Sequence, residues 1–141
     1  MNERIQKFSV KGIVCKNGKV FMLKDNKGIW ELPGGKIDFG EHPLESLKRE
    51  FLEELGVKEV KIGDVVNVWD FTVNVKSTIY HFIIIVYECE ANLSNINISD
   101  EHLEYKWIKL DEIHKYSMRD GYIKSIEKYY KNYQEGKIND K

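Results

Sequence analysis

The stretch from Pro43 to Leu55 reads as a helix and nothing else, and it is set between long runs that read as strands. Proline is accepted in a helix's first turn, no further breaker follows until Gly56, and glycine is the natural residue just past a helix end. At 100° per residue, Leu44, Leu47, Phe51 and Leu55 fall within a sector of about 80°, a narrow core-facing stripe, while Glu50, Glu53 and Glu54 gather on the adjoining face. Ahead of the helix, Phe8 to Leu23 is rich in Val, Ile, Phe and Leu on both sides of Asn17-Gly18, the dipeptide best suited to a two-residue hairpin turn. Ile29 to Leu32 can add a short strand that stops at Pro33-Gly34-Gly35. Beyond the helix, Val57 to Val75 and Thr78 to Glu90 are strand-like, with the turn expected within Asn74 to Ser77, and Tyr105 to Leu110 reads as another strand. Asn92 to Asp100 is polar and turn-prone. A second amphipathic helix is expected at about 121–134, after which EGKINDK should fray. Strands on both sides of a central helix, with another helix at the end, predict a mixed central β-sheet covered by helices, an α/β or α+β layered sandwich. At 141 residues with no repeat or linker, one domain over 1–141 is expected.

Composition narrows the function classes. Lys+Arg at 22 against Asp+Glu at 23 leaves a net charge of −1, too balanced to favour nucleic acid as a partner through overall field. The longest apolar run, Phe82 to Tyr87, is strand-sized, far below the roughly 20 residues of a membrane helix. MNERIQKF has no apolar segment suited to secretion, so a cytoplasmic protein is expected, with Cys15 and Cys89 as buried free thiols. Monomer and homodimer both remain open.

The chemistry concentrates around the first helix. Residues three and four apart on a helix lie side by side, so Glu50, Glu53 and Glu54 converge and repel one another. A divalent cation removes that penalty, and hard carboxylate oxygens suit Mg²⁺, with Mn²⁺ able to substitute. Arg49 lies four residues before Glu53 and is placed to hold that carboxylate in a fixed rotamer. Gly34 and Gly35 permit a backbone path closed to bulkier residues, bringing their amides near a carboxylate or a phosphate oxygen. Glu41, just before the helix, can add a further oxygen.

These residues fall on one pattern: Gly35, five residues, Glu41, seven residues, Arg49-Glu50, bulky Phe51, one residue, Glu53-Glu54, one residue, Gly56 and bulky Val57. The segment resembles the Nudix box, and all seven fixed letters match. At roughly one in fifteen per letter, a chance match at a given start is on the order of one in a hundred million. Phe51 stands where the family more often has an aliphatic residue, a departure that concerns packing and leaves the carboxylates untouched. The resemblance implies a hydrolase of a nucleoside diphosphate linked to another group. In it Glu50, Glu53, Glu54 and Gly35 hold Mg²⁺, Arg49 orients, Glu53 or a late carboxylate accepts a proton from water, and Gly34, Gly35 and Glu41 meet substrate.

For the late carboxylate, the cluster Asp100, Glu101 and Glu104 precedes Trp107, and Glu101 is the first choice by position. His102 reads equally as a surface neighbour, and His42, His81 and His114 show no ligand spacing. Among aromatic residues that can stack on a base, Phe39 and Trp69 are the candidates. A nucleotide-sensing module that does not cleave is opposed by the intact glutamates. An RNA 5′-end pyrophosphohydrolase would favour a basic track that this balanced composition does not reveal. Prolines occur only at Pro33 and Pro43, which removes the proline elements of the ADP-ribose and NADH branches, and Thr72 to Val75 lacks the tyrosine of the diadenosine branch. No coenzyme A element precedes Gly34. What remains resembles the MutT-like branch, implying a small nucleotide substrate, a nucleoside triphosphate of ordinary or noncanonical type cleaved to monophosphate and pyrophosphate.

Overall fold

The computed structural model describes residues 2–139, with side chains through Tyr133. The elements run β1 (Glu3–Lys16), β2 (Lys19–Asp25), β3 (Trp30–Glu31), β4 (Gly34–Lys36), α1 (Pro43–Leu55), β5 (Val60–Val75), β6 (Thr78–Ala91), β7 (His102–Lys109), a 3-10 turn (Leu110–Lys115) and α2 (Asp120–Asn139). The expected layered α+β architecture is present, with a curled sheet of mixed direction: β1 and β6 run parallel, and the other named pairs run antiparallel.

The functionally important feature of the sheet is a split. Strand β1 pairs with β6 along one edge from Glu3 to Val14. Its other edge is shared, with Cys15 and Lys16 on β2 and Ser9 to Lys11 on β4. Strands β1 and β2 therefore diverge away from the Asn17-Gly18 hairpin, and the segment Trp30 to Lys36 crosses between them. Its first part pairs with β2 as β3 and its last part pairs with β1 as β4. Where a plain loop is expected at Gly34-Gly35, the structure has a short strand, because the opening edge of β1 offers backbone partners that sequence alone does not reveal. For the same reason β1 begins at Glu3 rather than at Phe8: its first residues pair with β6, although they are too polar to signal a strand.

Period-two alternation sends the two faces of the sheet to different cores. Val10, Val14, Phe21, Leu23 and Cys89 pack with Leu47, Phe51 and Leu55 of α1. Ile13, Val20, Met22, Ile84 and Val86 pack with Ile113, Tyr122 and Ile126 from the 3-10 turn and α2. Phe51 is fully buried, and the departure from an aliphatic residue is accommodated by Gly12, where a Cβ would approach the Phe51 ring to 3.1 Å. Cys89 is buried and Cys15 half-buried, both as free thiols. Helix α2 continues to Asn139, beyond the expected end near residue 134. The fraying expected of Asp140 and Lys141 lies outside the described residues.

Helix α2 reaches the sheet by resting its first turn on Trp69, where a Cβ at Gly121 would overlap the indole ring. Alanine in place of an exposed helical glycine ordinarily stabilises by up to about 1 kcal/mol. Gly121→Ala is expected instead to destabilise by about 1–3 kcal/mol, the usual cost of overpacking. Urea unfolding measures this, and an unchanged or raised midpoint would contradict the packing described.

Candidate active site

Helix α1 begins with His42 as its N-cap, its Nδ1 accepting the Leu44 amide at 3.2 Å, and ends at Gly56 in the left-handed region, φ 70°. The last carbonyls of the helix are taken by the loop that follows β6. The Asn97 amide donates to Leu55 O at 3.1 Å, and the Ser99 amide donates to Glu54 O at 3.0 Å. This capping delivers the segment carrying Glu101 and His102 to the flank of α1 that bears the glutamates.

The three glutamates share a face but not an environment. Glu54 is almost wholly buried, Glu50 is half-buried and Glu53 is exposed. Glu54 lies against the split in the sheet, with its Oε1 accepting the Gly34 amide at 2.8 Å. Gly34 adopts φ 138°, and a Cβ there would collide with the Val10 carbonyl. A Cβ at Gly35 would occupy the space of the Glu50 carboxylate. The Gly34 amide meets a carboxylate as expected, and at Gly35 the missing side chain leaves room for the Glu50 carboxylate against the backbone.

Arg49 has a wider task than holding Glu53. Its Nε and Nη2 donate to the two oxygens of Glu41 at 2.8 and 3.0 Å, a bidentate pair. Nη2 also reaches Lys36 O at 3.0 Å, and Nη1 donates to Glu50 at 3.0 Å and Glu53 at 3.2 Å. Ser46 Oγ and the Asp38 amide complete the set of donors on Glu41. Those hydrogen bonds, Arg49's first, hold the Glu41 carboxyl down to about 2. Glu41 was expected to offer an oxygen to metal or substrate. Four donors converge on its carboxylate, which ties the loop over 36–41 to α1.

Burial dominates the electrostatics on the inner side. It pushes the Glu54 carboxyl up to about 7 against the opposing pull of Lys11, the Gly34 amide and His102. It also raises Glu50, against Arg49. Lys11 is buried as well. Burial works to lower it, but Tyr122, Glu31, Glu54 and Glu50 outweigh that and hold it above its ordinary value. Lys11 Nζ donates to Gly34 O at 3.3 Å and lies 3.8 Å from Glu31 Oε1. His102, an even choice for the surface on sequence, is buried, its Nε2 2.8 Å from Glu31 Oε1 and its Nδ1 3.8 Å from Glu54 Oε2.

The remaining candidates divide. Glu101 is exposed on a cleft of about 360 Å³ that it shares with Glu31, Trp30, Arg119 and Tyr122, and none of Glu50, Glu53 and Glu54 lines that cleft. Glu104 points elsewhere, to an ion pair with Lys24 at 3.4 Å. Phe39 projects fully into solvent from the loop before α1. Trp69 is half-buried, stacked on Phe71 at 5.4 Å and edge-on to Tyr122 at 4.8 Å, so its ring faces are largely committed to packing. His81 bonds to Asp70 at 2.7 Å, in keeping with an unremarkable structural role. Lys11 and Glu31 carry no motif and were not singled out by sequence. The only signal was a single charged residue within an apolar run, Val10-Lys11-Gly12-Ile13 and Trp30-Glu31-Leu32.

Hard oxygen donors from Glu50, Glu53 and Glu54 suit Mg²⁺ or Mn²⁺. The observation in favour of that fit is that the bare Gly35 backbone lets the Glu50 carboxylate lie directly against it.

Residues 7–129 match the family model described as NUDIX domain, and the chain belongs to that family of hydrolases. It is 30% identical over 108 residues to the nucleoside triphosphatase NudI of Salmonella paratyphi B, covering 68% of this chain and 75% of that protein. Its fold is similar to the crystal structure of a MutT protein from Methanosarcina mazei Go1, with a TM-score of 0.79 and 24% identity over 94% of this chain and 98% of that one. The E. coli dihydroneopterin triphosphate pyrophosphohydrolase superposes with a TM-score of 0.71 and 18% identity, covering 89% and 95% of the two chains. Nudix enzymes generally use divalent metals and act on small nucleotide substrates. Among the described residues, no helix is long and apolar enough to cross a membrane.

Two outcomes test the geometry. The Glu54 carboxyl lies above its ordinary value of 4.5 in the fold, so folding favours its neutral form; that contribution is complete below about pH 4.5 and is lost as pH rises through about 7. Glu54→Gln is thus expected to stabilise the metal-free protein at pH 8 by something on the order of 2 kcal/mol and to do little at pH 4. Urea titrations at both pH values check it, and equal stability at pH 8 would contradict the burial assigned to Glu54. Arg49→Lys replaces the planar fork with a point charge. Steady-state kinetics should show turnover falling more than substrate affinity, whereas unchanged rates would reduce Arg49 to a surface charge.

Proposed function

We propose that the protein is a Mg²⁺-dependent pyrophosphohydrolase that cleaves nucleoside triphosphates, ordinary or noncanonical, to the monophosphate and pyrophosphate. The observation that carries this reading is the arrangement of Glu50 and Glu54 against the Gly34-Gly35 backbone, with Glu53 beside them and open to solvent. The similarity to a nucleoside triphosphatase supports the substrate class.

In this reading Glu50, Glu53 and Glu54, with the Gly35 backbone, hold the cation. When bound, the cation neutralises phosphate charge and assists attack at phosphorus. The chain's own residues do the remainder. Arg49 clamps Glu41, the loop and Glu50 into one unit, so the carboxylates are set before substrate arrives. Glu53 is exposed and held by a single Arg49 N–H, leaving lone pairs free to take the proton of the attacking water. Glu101, on the neighbouring cleft, is the alternative acceptor. Attack of water on phosphorus forms one P–O bond as the anhydride bond breaks, and no covalent enzyme intermediate is required.

A panel of nucleotides assayed with Mg²⁺, scored for pyrophosphate against phosphate release, is the test. Triphosphates should be cleaved with pyrophosphate release, a chelator should abolish turnover and added Mg²⁺ should restore it. Glu53→Gln should lose roughly 10²-fold or more in kcat while remaining folded. Turnover of ADP-ribose or a nucleotide sugar orders of magnitude more efficiently than every triphosphate would overturn the substrate assignment. A chelator-insensitive reaction would overturn the metal site.

A further inference from the structure

Behind the glutamates lies a group that the reaction as described does not use. Glu31, Glu54 and His102 each offer an atom within 4.8 Å of the others, a spacing that a metal ion can accept. A cation already sits among them, however. The buried ammonium of Lys11 is 3.8 Å from Glu31 Oε1 and hydrogen-bonded to Gly34 O, so a metal ion there would meet a like charge at close range. The group reads better as a support than as a site of its own.

We propose that Lys11, Glu31 and His102 are positioning residues that fix Glu54 and the Gly34 peptide as one face of the metal cradle. This rests on the reading of Glu54 as a metal ligand. The Gly34 peptide is gripped from both sides, its carbonyl by Lys11 Nζ at 3.3 Å and its amide by Glu54 Oε1 at 2.8 Å. A carboxylate accepts hydrogen bonds, so the 2.8 Å contact with Glu31 places a proton of the imidazole on Nε2 and fixes the ring. The fixed ring turns Nδ1 toward Glu54 Oε2 at 3.8 Å, too far for a hydrogen bond, and Nδ1 is buried with no hydrogen-bond partner among the described residues. Oε1 of Glu54 is thereby occupied, while the imidazole walls off the inner side of Oε2 without binding it. Oε2, too far from His102 for a hydrogen bond, keeps its lone pairs for a cation. Carboxylate ligands of a metal are themselves held by outer partners, and loss of such a partner costs about 10- to 100-fold in metal affinity or activity.

The test is Mn²⁺ binding to the nucleotide-free protein, followed by the paramagnetic resonance of free Mn²⁺, for Glu31→Gln, His102→Leu, their double variant and His102→Gln. Glu31→Gln and His102→Leu should each weaken Mn²⁺ binding about 10- to 100-fold, and the double variant should be no worse than either, because the two act as one unit. His102→Gln, whose amide can still donate to Glu31, should recover part of the affinity. In turnover the losses should appear as a higher Mg²⁺ requirement, with kcat largely restored at saturating metal. Unchanged Mn²⁺ affinity in Glu31→Gln, which is nearly isosteric and partly exposed, would overturn the proposal even if His102→Leu failed to fold. Loss of a separate second class of Mn²⁺ sites in Glu31→Gln, with the first class intact, would also overturn it, making the group a metal site in its own right. Glu54→Gln is the control for the underlying reading: if it binds Mn²⁺ as the wild type does, Glu54 is not a ligand, whatever the other variants show.

Discussion

The hydrogen bond from the Gly34 amide to the buried carboxylate of Glu54 joins everything the site needs. It ties α1 to the strand segment that crosses the split in the sheet, and it can form only because β1 and β2 diverge and leave an edge of β1 for β4. Burial makes this carboxylate costly to ionise, and Lys11 and His102 on the inner side oppose that cost. Arg49 performs the corresponding task on the outer side, gathering Glu41, Glu50, Glu53 and the Lys36 carbonyl around one guanidinium. The cradle is thus held from two directions, by a rigid fork in partial contact with water and by a buried cluster behind it.

Much of this was legible in the residues. Helix α1 was bounded to the residue by Pro43 and Gly56, and its apolar stripe and acidic face were separable by angle alone. The Asn17-Gly18 hairpin and the long β5–β6 pair followed from turn chemistry and β-branched runs. Local spacing was informative because helix geometry converts sequence distance directly into spatial distance.

What was not legible depends on long-range pairing. Nothing near Glu3 announces a strand, since its partner is Thr78 in a parallel ladder. Lys11 and Glu31 look like ordinary members of alternating strands, and only the wedge between β1 and β2 turns them inward. His102 carried no ligand spacing, because its partners Glu31 and Glu54 are distant in sequence and reach it through the capping of α1 by Asn97 and Ser99. The same limit applied to Arg49, whose spacing pointed to Glu53 while the tighter bidentate partner, Glu41, lies before the helix in a loop of no fixed period.

A divalent cation is proposed to lie between the buried Glu54 and its neighbours Glu50 and Gly35. Crystals soaked in Mn²⁺ and measured at the manganese absorption edge test it directly. An anomalous peak is expected between the Glu50 and Glu54 carboxylates beside Gly35, with Lys11 still bonded to the Gly34 carbonyl. A peak lodged instead between Glu31 and His102, or no peak together with a Glu54 carboxyl turned inward to bond His102 Nδ1, would contradict it.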